Sequence, residues 1–188
     1  MSKKKLYYGI LLIIISFSMI VFINFVYLIG DSGKIKKEVT VDFKFLKKEK
    51  KPIVLLFFGY TGCSNICIMA LSQINDLYKT IDEKKVSVYF INLFTNIDKN
   101  LTDSYAKSFN KQFVGLNFEK SSLLEITSKL RVNFSPSLLN KEEINHTGFL
   151  YLFEKKDKNF VQKYVYTNTP YNIKSIKKDV ENILKDKK

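Results

Sequence analysis

Three side chains in this 188-residue chain have the chemistry of a soft-metal or redox centre. They are Cys63 and Cys67, the only two cysteines, and His146, the only histidine. The cysteines lie four apart in Gly59-Tyr60-Thr61-Gly62-Cys63-Ser64-Asn65-Ile66-Cys67, so one helical turn brings both sulfurs to one face. The motif sits where a buried strand is expected to end and a helix to begin near Ser64. Partial positive charge at a helix N-terminus lowers a thiol pKa and stabilises the thiolate, and Cys63 is placed to benefit. Two thiolates held this way suit Cu(I), a soft cation that prefers sulfur. The same spacing is near disulfide range, so the pair can also oxidise to a bridge. A third option is packing, since free cysteine often behaves as a small hydrophobe. Structural zinc fits less well, because four tightly spaced ligands are lacking.

His146 stands in Asn145-His146-Thr147-Gly148, at the start of a predicted strand that follows a polar loop. A lone histidine on an apolar strand is commonly a core residue with its nitrogens satisfied. Loop–strand junctions at the end of an α/β sheet are also where ligand groups gather. An imidazole added to two thiolates gives a set that can hold Cu(II) as well, since Cu(II) tolerates nitrogen donors. Cys63, nearer the helix start, is expected to be the more exposed thiol and the first to exchange.

The elements that must hold these residues are written in the hydropathy pattern. Residues 53–58, IVLLFF, form a continuous apolar run ending at Gly59, as in a strand buried on both faces. Cys67, Leu71, Ile74 and Leu77 repeat at helical spacing. Residues 86–94 read as a second buried strand, with a short helix predicted around Thr102–Phe109 and a brief strand at 112–116. Leu123, Leu124, Thr127 and Leu130 mark a helix over 119–131, and 133–143 reads as a polar loop containing Pro136. Residues 144–153 and 160–166 read as two further strands that pair as a hairpin. Ile173, Ile176, Val180, Ile183 and Leu184 predict an amphipathic C-terminal helix. Upstream, Val39, Val41, Phe43 and Phe45 alternate with polar residues, the period of an edge strand. Strands that alternate with helices and then close as a hairpin make an α/β, thioredoxin-like three-layer sandwich with helices on both sheet faces.

Ahead of this domain, residues 6–30 carry no charge and would span about 37 Å as a helix, more than the ~30 Å hydrocarbon core of a bilayer. The run is longer than the apolar region of a cleaved signal peptide, and no small-residue cleavage pattern follows. It therefore reads as an N-terminal transmembrane signal anchor. Lys3, Lys4 and Lys5 should stay cytoplasmic, which turns the rest of the chain outward, to the periplasm or its equivalent. Tyr7, Tyr8 and Tyr27 lie near the two ends, where aromatic belts form. Asn24, the awkward polar residue, is expected near the outer interface. The expected plan is a basic tail (1–5), the anchor (6–30), a lysine-rich linker with an edge strand (31–52) and the exported domain (53–188), working as a monomer.

Net charge is +13, which raises nucleic acid as a partner. Against that, the lysines are scattered through every segment and Arg131 is the only arginine. Arginine is the preferred residue for bidentate phosphate and base contacts, so nucleic-acid readout is disfavoured.

At these residues the chain resembles the SCO/SenC family of copper-binding assembly proteins. The likeness is carried by FFGYTGC at 57–63, the C-x-x-x-C at 63–67, His146 entering FLYLF, Val114-Gly115-Leu116 and Arg131-Val132, and it spans roughly residues 53–185. It implies a thioredoxin-like fold, one copper held by Cys63, Cys67 and His146, and delivery to the dinuclear copper centre of a cytochrome c oxidase subunit during assembly. It implies as an alternative a membrane-tethered thiol–disulfide oxidoreductase in which Cys63 and Cys67 are catalytic. Partners would then be the copper-receiving subunit or another copper or thiol protein. Family members usually carry Pro and Asp between the cysteines, where this chain has Ser64 and Asn65. Loss of that acid removes an anion that would raise a nearby thiol pKa. The acidic stretch after the second core strand is reduced to Asp98.

Overall fold

The computed structural model describes residues 3–29, 33–63, 66–95, 98–138, 140 and 143–186. It divides into two units, Met1–Ser32 and Gly33–Lys188. In the first, helix α1 (Lys3–Ile29) contains the stretch Tyr7–Asn24, long and apolar enough to cross a membrane. Asn24 Nδ2 donates to the Ile20 carbonyl at 2.8 Å. The amide thus finds a partner one turn back within its own helix, as a polar group in hydrocarbon requires.

In the second unit the chain runs β1 (Lys34–Val41), a 3-10 turn (Lys44–Leu46), β2 (Ile53–Gly59), α2 (Ile66–Tyr78), β3 (Val86–Asn92), α3 (Lys99–Phe109), β4 (Val114–Leu116) and α4 (Lys120–Leu130). It continues through β5 (Phe134–Pro136), β6 (Ile144–His146), β7 (Leu150–Lys156), β8 (Asn159–Tyr166) and α5 (Ile173–Lys185). Among the described residues, six strands form one mixed sheet in the order β1-β8-β7-β2-β3-β4. β2, β3 and β4 are parallel, while β7, β8 and β1 add antiparallel. This is the expected thioredoxin-like arrangement.

β2 lies in the interior of the sheet, and its period-two alternation serves two cores. Ile53, Leu55 and Phe57 pack with Leu71 and Ile74 of α2, Ala106 of α3, and Ile176 and Val180 of α5. Val54, Leu56 and Phe58 pack on the other face with Leu123, Ile126 and Leu130 of α4 and with Phe43 and Leu46. Both faces are covered, which is why β2 reads as an unbroken apolar run. Each large side chain buried this way contributes about 1.5–3 kcal/mol.

Four expectations are corrected. The α4 stripe is Leu123, Ile126, Thr127 and Leu130; Leu124 is exposed. Helix α3 starts earlier than predicted, at Lys99, because the Asp98 side chain caps it by accepting from the Asn100 N–H at 2.8 Å. The polar loop around Pro136 contains a strand, β5, which pairs with β6 in a separate two-stranded sheet. Proline is tolerated there because the strand has a free edge. Residues 144–153 are consequently not one strand. The ladder breaks at 147–149, where the Gly148 carbonyl accepts instead from the Tyr171 and Thr169 hydroxyls at 2.8 and 3.3 Å. Ser64 and Asn65 lie outside the described residues, and so does the predicted helix start near Ser64.

Candidate metal centre

The parallel strand β2 ends at Gly59, and the chain turns back through Tyr60-Thr61-Gly62 toward α2. The Cys63 N–H closes that turn on the Tyr60 carbonyl at 3.3 Å. Gly62 has φ +91°, the left-handed region where a side chain would be strained. Cys63 emerges from this turn, 4% exposed, and Cys67 follows in the first turn of α2, fully buried. The Cys67 N–H donates to Cys63 Sγ at 3.4 Å, the kind of contact that stabilises sulfur charge at a helix start.

The third residue arrives from the far part of the chain. Phe57 of β2 pairs with Leu150 of β7, so the residues just before Leu150 are delivered to the same end of the sheet as Gly59. His146 closes β6 there. Its Nε2 lies 3.4 Å from Cys67 Sγ. Its Nδ1–H donates to the Thr147 carbonyl at 3.2 Å, which fixes the tautomer and leaves Nε2 as the nitrogen with a free lone pair. The expected strand start at His146 is thus the end of a short strand in a small second sheet, and the residue is half-buried rather than part of the main ladder.

The ligand atoms of Cys63, Cys67 and His146 all lie within 4.8 Å of one another, the one such group of His, Cys, Asp or Glu among the described residues. A single ion bonded to three donors at about 2.0–2.3 Å needs donor–donor spacings of about 3.5–4 Å, so the triangle fits one ion with small adjustment. Two sulfurs and one imidazole make a soft set short of the four ligands of structural zinc. The two thiols are not joined by a disulfide.

Aromatic rings wall the site. Tyr60 meets the His146 ring edge-to-face, centroids 5.9 Å apart, and Phe57 does the same at 6.3 Å. Tyr60 is braced in turn by Phe94 at 5.4 Å. The Tyr105 hydroxyl of α3 reaches the Cys63 carbonyl at 3.4 Å. Burial, reinforced by the neighbouring Cys63, pushes the Tyr60 phenol up to about 12. The Cys67 thiol is also pushed up, first by its hydrogen-bonding interaction with Cys63 and then by burial. The helix-start effect, anticipated at Cys63, does not lower the thiol pKa of Cys67. Tyr105 and Phe94 carry no local sequence signal, since only the fold brings them to the cysteines; Tyr60 was legible only as part of the FFGYTGC turn.

Comparison with known proteins agrees with this geometry. The SCO1/SenC family model matches residues 47–185. The chain is 24% identical over 110 residues to an SCO2-like protein of Rickettsia prowazekii, covering 54% of this chain and 53% of that protein. It is 27% identical over 107 residues to the mitochondrial SCO1 homolog of Homo sapiens, covering 53% and 36%. The chain thus spans about half, or less, of the length of these relatives. The fold matches that of Arabidopsis thaliana ScoI, solved with copper bound, with a TM-score of 0.63 at 20% identity, over 81% of this chain and 99% of that one. A family model that takes in β2, the cysteine turn, the β5–β6 hairpin and α5 places this chain in the SCO1/SenC family.

Proposed function

We propose that this protein is a membrane-anchored copper carrier that binds one copper through Cys63, Cys67 and His146. The observation that carries the reading is the triangle of two sulfurs and an imidazole nitrogen within 4.8 Å, with His146 Nδ1 already engaged and Nε2 turned to Cys67. In this reading α1 crosses the inner (cytoplasmic) membrane, the expected linker 31–52 is largely part of the domain, which begins at Gly33 with β1 paired to β8, and the domain works outside as a monomer. Two thiolates hold Cu(I), and His146 completes a set that also accepts Cu(II). The cargo is passed to an oxidase subunit during assembly of its dinuclear copper centre.

The test is metal titration of the full-length chain in detergent, reduced, with Cu(I) and separately with Cu(II). One equivalent should bind in each case. His146→Ala should abolish or strongly shift the thiolate-to-Cu(II) absorption while leaving Cu(I) bound at least tenfold more weakly. An unchanged Cu(II) spectrum in that variant overturns the three-ligand set.

The sulfur proximity also supports a second reading, a thiol–disulfide reductase. Cys63 and Cys67 would lose two electrons and two protons to a partner disulfide and close a bridge. An insulin-reduction assay and the pair's reduction potential separate the two, since an inert dithiol removes this reading and leaves the copper carrier standing.

A further inference from the structure

The sulfurs and the imidazole are held by different means. Cys63 and Cys67 are both buried, in the core that also holds Phe57 and Leu71. His146 is half-buried on β6, a strand of three residues in the small second sheet. Its Nδ1 bond runs to the next residue, Thr147, so it ties the ring to its own segment and not to the cysteine turn. Besides Cys67 itself, what ties the ring to that turn is Tyr60, edge-to-face at 5.9 Å.

Tyr60 is in turn held from a buried amide. Asn92, the last residue of β3, pairs in register with Gly59, the last residue of β2, and is fully buried. Its Nδ2 donates to the Thr102 hydroxyl of α3 at 2.9 Å and to the Thr61 hydroxyl of the cysteine turn at 3.4 Å. Its Oδ1 accepts from the Phe94 N–H at 3.0 Å. The Phe94 ring then meets Tyr60 edge-to-face at 5.4 Å. A buried amide bonded at both ends is a firm joint, since each lost bond would leave a desolvated polar group. Asn92 thus fixes Thr61, next to Tyr60 along the chain, and Phe94, next to it in space.

We propose that Phe94 and Tyr60, fixed by Asn92, are positioning residues that decide which oxidation state of copper the site retains, by holding the His146 ring aligned on the sulfurs. The inference rests on the copper-carrier reading. Cu(I) is satisfied by the two thiolates, whereas Cu(II) calls on the nitrogen donor. A side chain already ordered in the free protein adds little ordering cost on binding. The brace therefore favours the ion that uses the imidazole, Cu(II), while the cysteines serve both ions from within the core. Asn92 and Phe94 act through Tyr60, and Tyr60 acts through the direction it gives His146. Loosening the brace should cost Cu(II) affinity selectively, which distinguishes positioning from a general loss of stability.

The test pairs copper titration with proton NMR of the metal-free full-length chain in detergent. His146 is the only histidine, so its ring signals identify themselves. In the wild type they should give cross-peaks to the Tyr60 ring. Phe94→Ala, at a half-buried position, should weaken those cross-peaks at least threefold and weaken Cu(II) binding about tenfold, with Cu(I) affinity within threefold of wild type. Tyr60→Leu should weaken Cu(II) binding at least as much, and Phe94→Tyr should restore both readouts. Phe118→Ala removes a half-buried ring of the other core, where it faces Phe45 at 5.3 Å, and should change neither. Unchanged cross-peaks in Phe94→Ala, Cu(II) affinity within twofold of wild type in Phe94→Ala and Tyr60→Leu, equal losses of Cu(I) and Cu(II), or the same loss in Phe118→Ala would each overturn the proposal and leave the copper-carrier reading standing. A wild-type chain that takes up neither ion overturns the copper-carrier reading itself.

Discussion

Cys67 Sγ stands 3.4 Å from His146 Nε2, although the two residues are 79 positions apart. The contact exists because the sulfur sits directly over the end of β2, where Gly59 leaves room for it. A Cβ at Gly59 would come within 2.7 Å of that sulfur and 2.9 Å of the Phe90 ring. Gly59→Ala should therefore displace Cys67 from His146 and cost about 1–3 kcal/mol through overpacking. Denaturant unfolding reads the stability loss. Competition with bicinchoninate should show at least a tenfold drop in Cu(I) affinity, and a variant with wild-type affinity would mean that the sulfur is not held by this fit.

The raised Cys67 thiol makes a separate prediction. Between pH 7 and 9 it keeps its proton in the folded chain. Iodoacetamide should modify it at least a hundredfold more slowly in the native protein than in urea, as followed by peptide mass spectrometry. On the copper-carrier reading the metal must expel that proton, so apparent Cu(I) affinity should rise with pH, up to about tenfold per unit for one proton released. A pH-independent affinity would show that the thiol is already ionised.

Tyr60 sets an alkaline limit. Its phenol ionises at about 12 when folded, against an ordinary value of 10.0. The folded state therefore holds the proton more tightly than the unfolded chain. The stability linked to that proton is fully present below pH 10 and is lost as pH climbs toward 12. Tyrosinate absorbance near 295 nm should rise in two stages, the exposed phenols first and the buried group together with unfolding. Tyr60→Phe should reduce the steepness of the alkaline stability loss.

Asp179 provides a test of the fold rather than of the site. This buried carboxylate of α5 accepts from Lys34 of β1 and from the Tyr166 hydroxyl of β8, both at 2.7 Å. It ties the edge strand and the last helix to the hairpin. Asp179→Ala removes the shared acceptor and should cost about 2–4 kcal/mol in denaturant unfolding. Tyr166→Phe, which loses one bond only, should cost less than half as much.

Much of this was legible before any coordinates. The unbroken run at 53–58 marks a strand buried on both faces because two packed faces leave no polar alternation to read. The stripe of Cys67, Leu71, Ile74 and Leu77 is fully buried as its spacing implies. The misreadings fell where local pattern and tertiary packing part. Leu124 is as apolar as Leu123, but the arc of α4 that meets the sheet passes through Ile126. The run 144–153 looks continuous, yet partners available only in the folded chain, Phe134–Pro136 on one side and Tyr171 and Thr169 on the other, divide it in two.

The sequence by itself determined two thiols one helical turn apart and a single imidazole, a helix long and apolar enough to cross a membrane, and the alternation that demands a sheet with helices on both faces. Those are matters of residue type and of spacing along a helix or strand, which are local. The tertiary structure decided that Nε2 rather than Nδ1 faces the sulfurs, that Tyr60 and Tyr105 border them, and that His146 is more exposed than either cysteine. These depend on which distant segments share one end of the sheet and how deeply each is buried, and burial is a property of the whole packed chain.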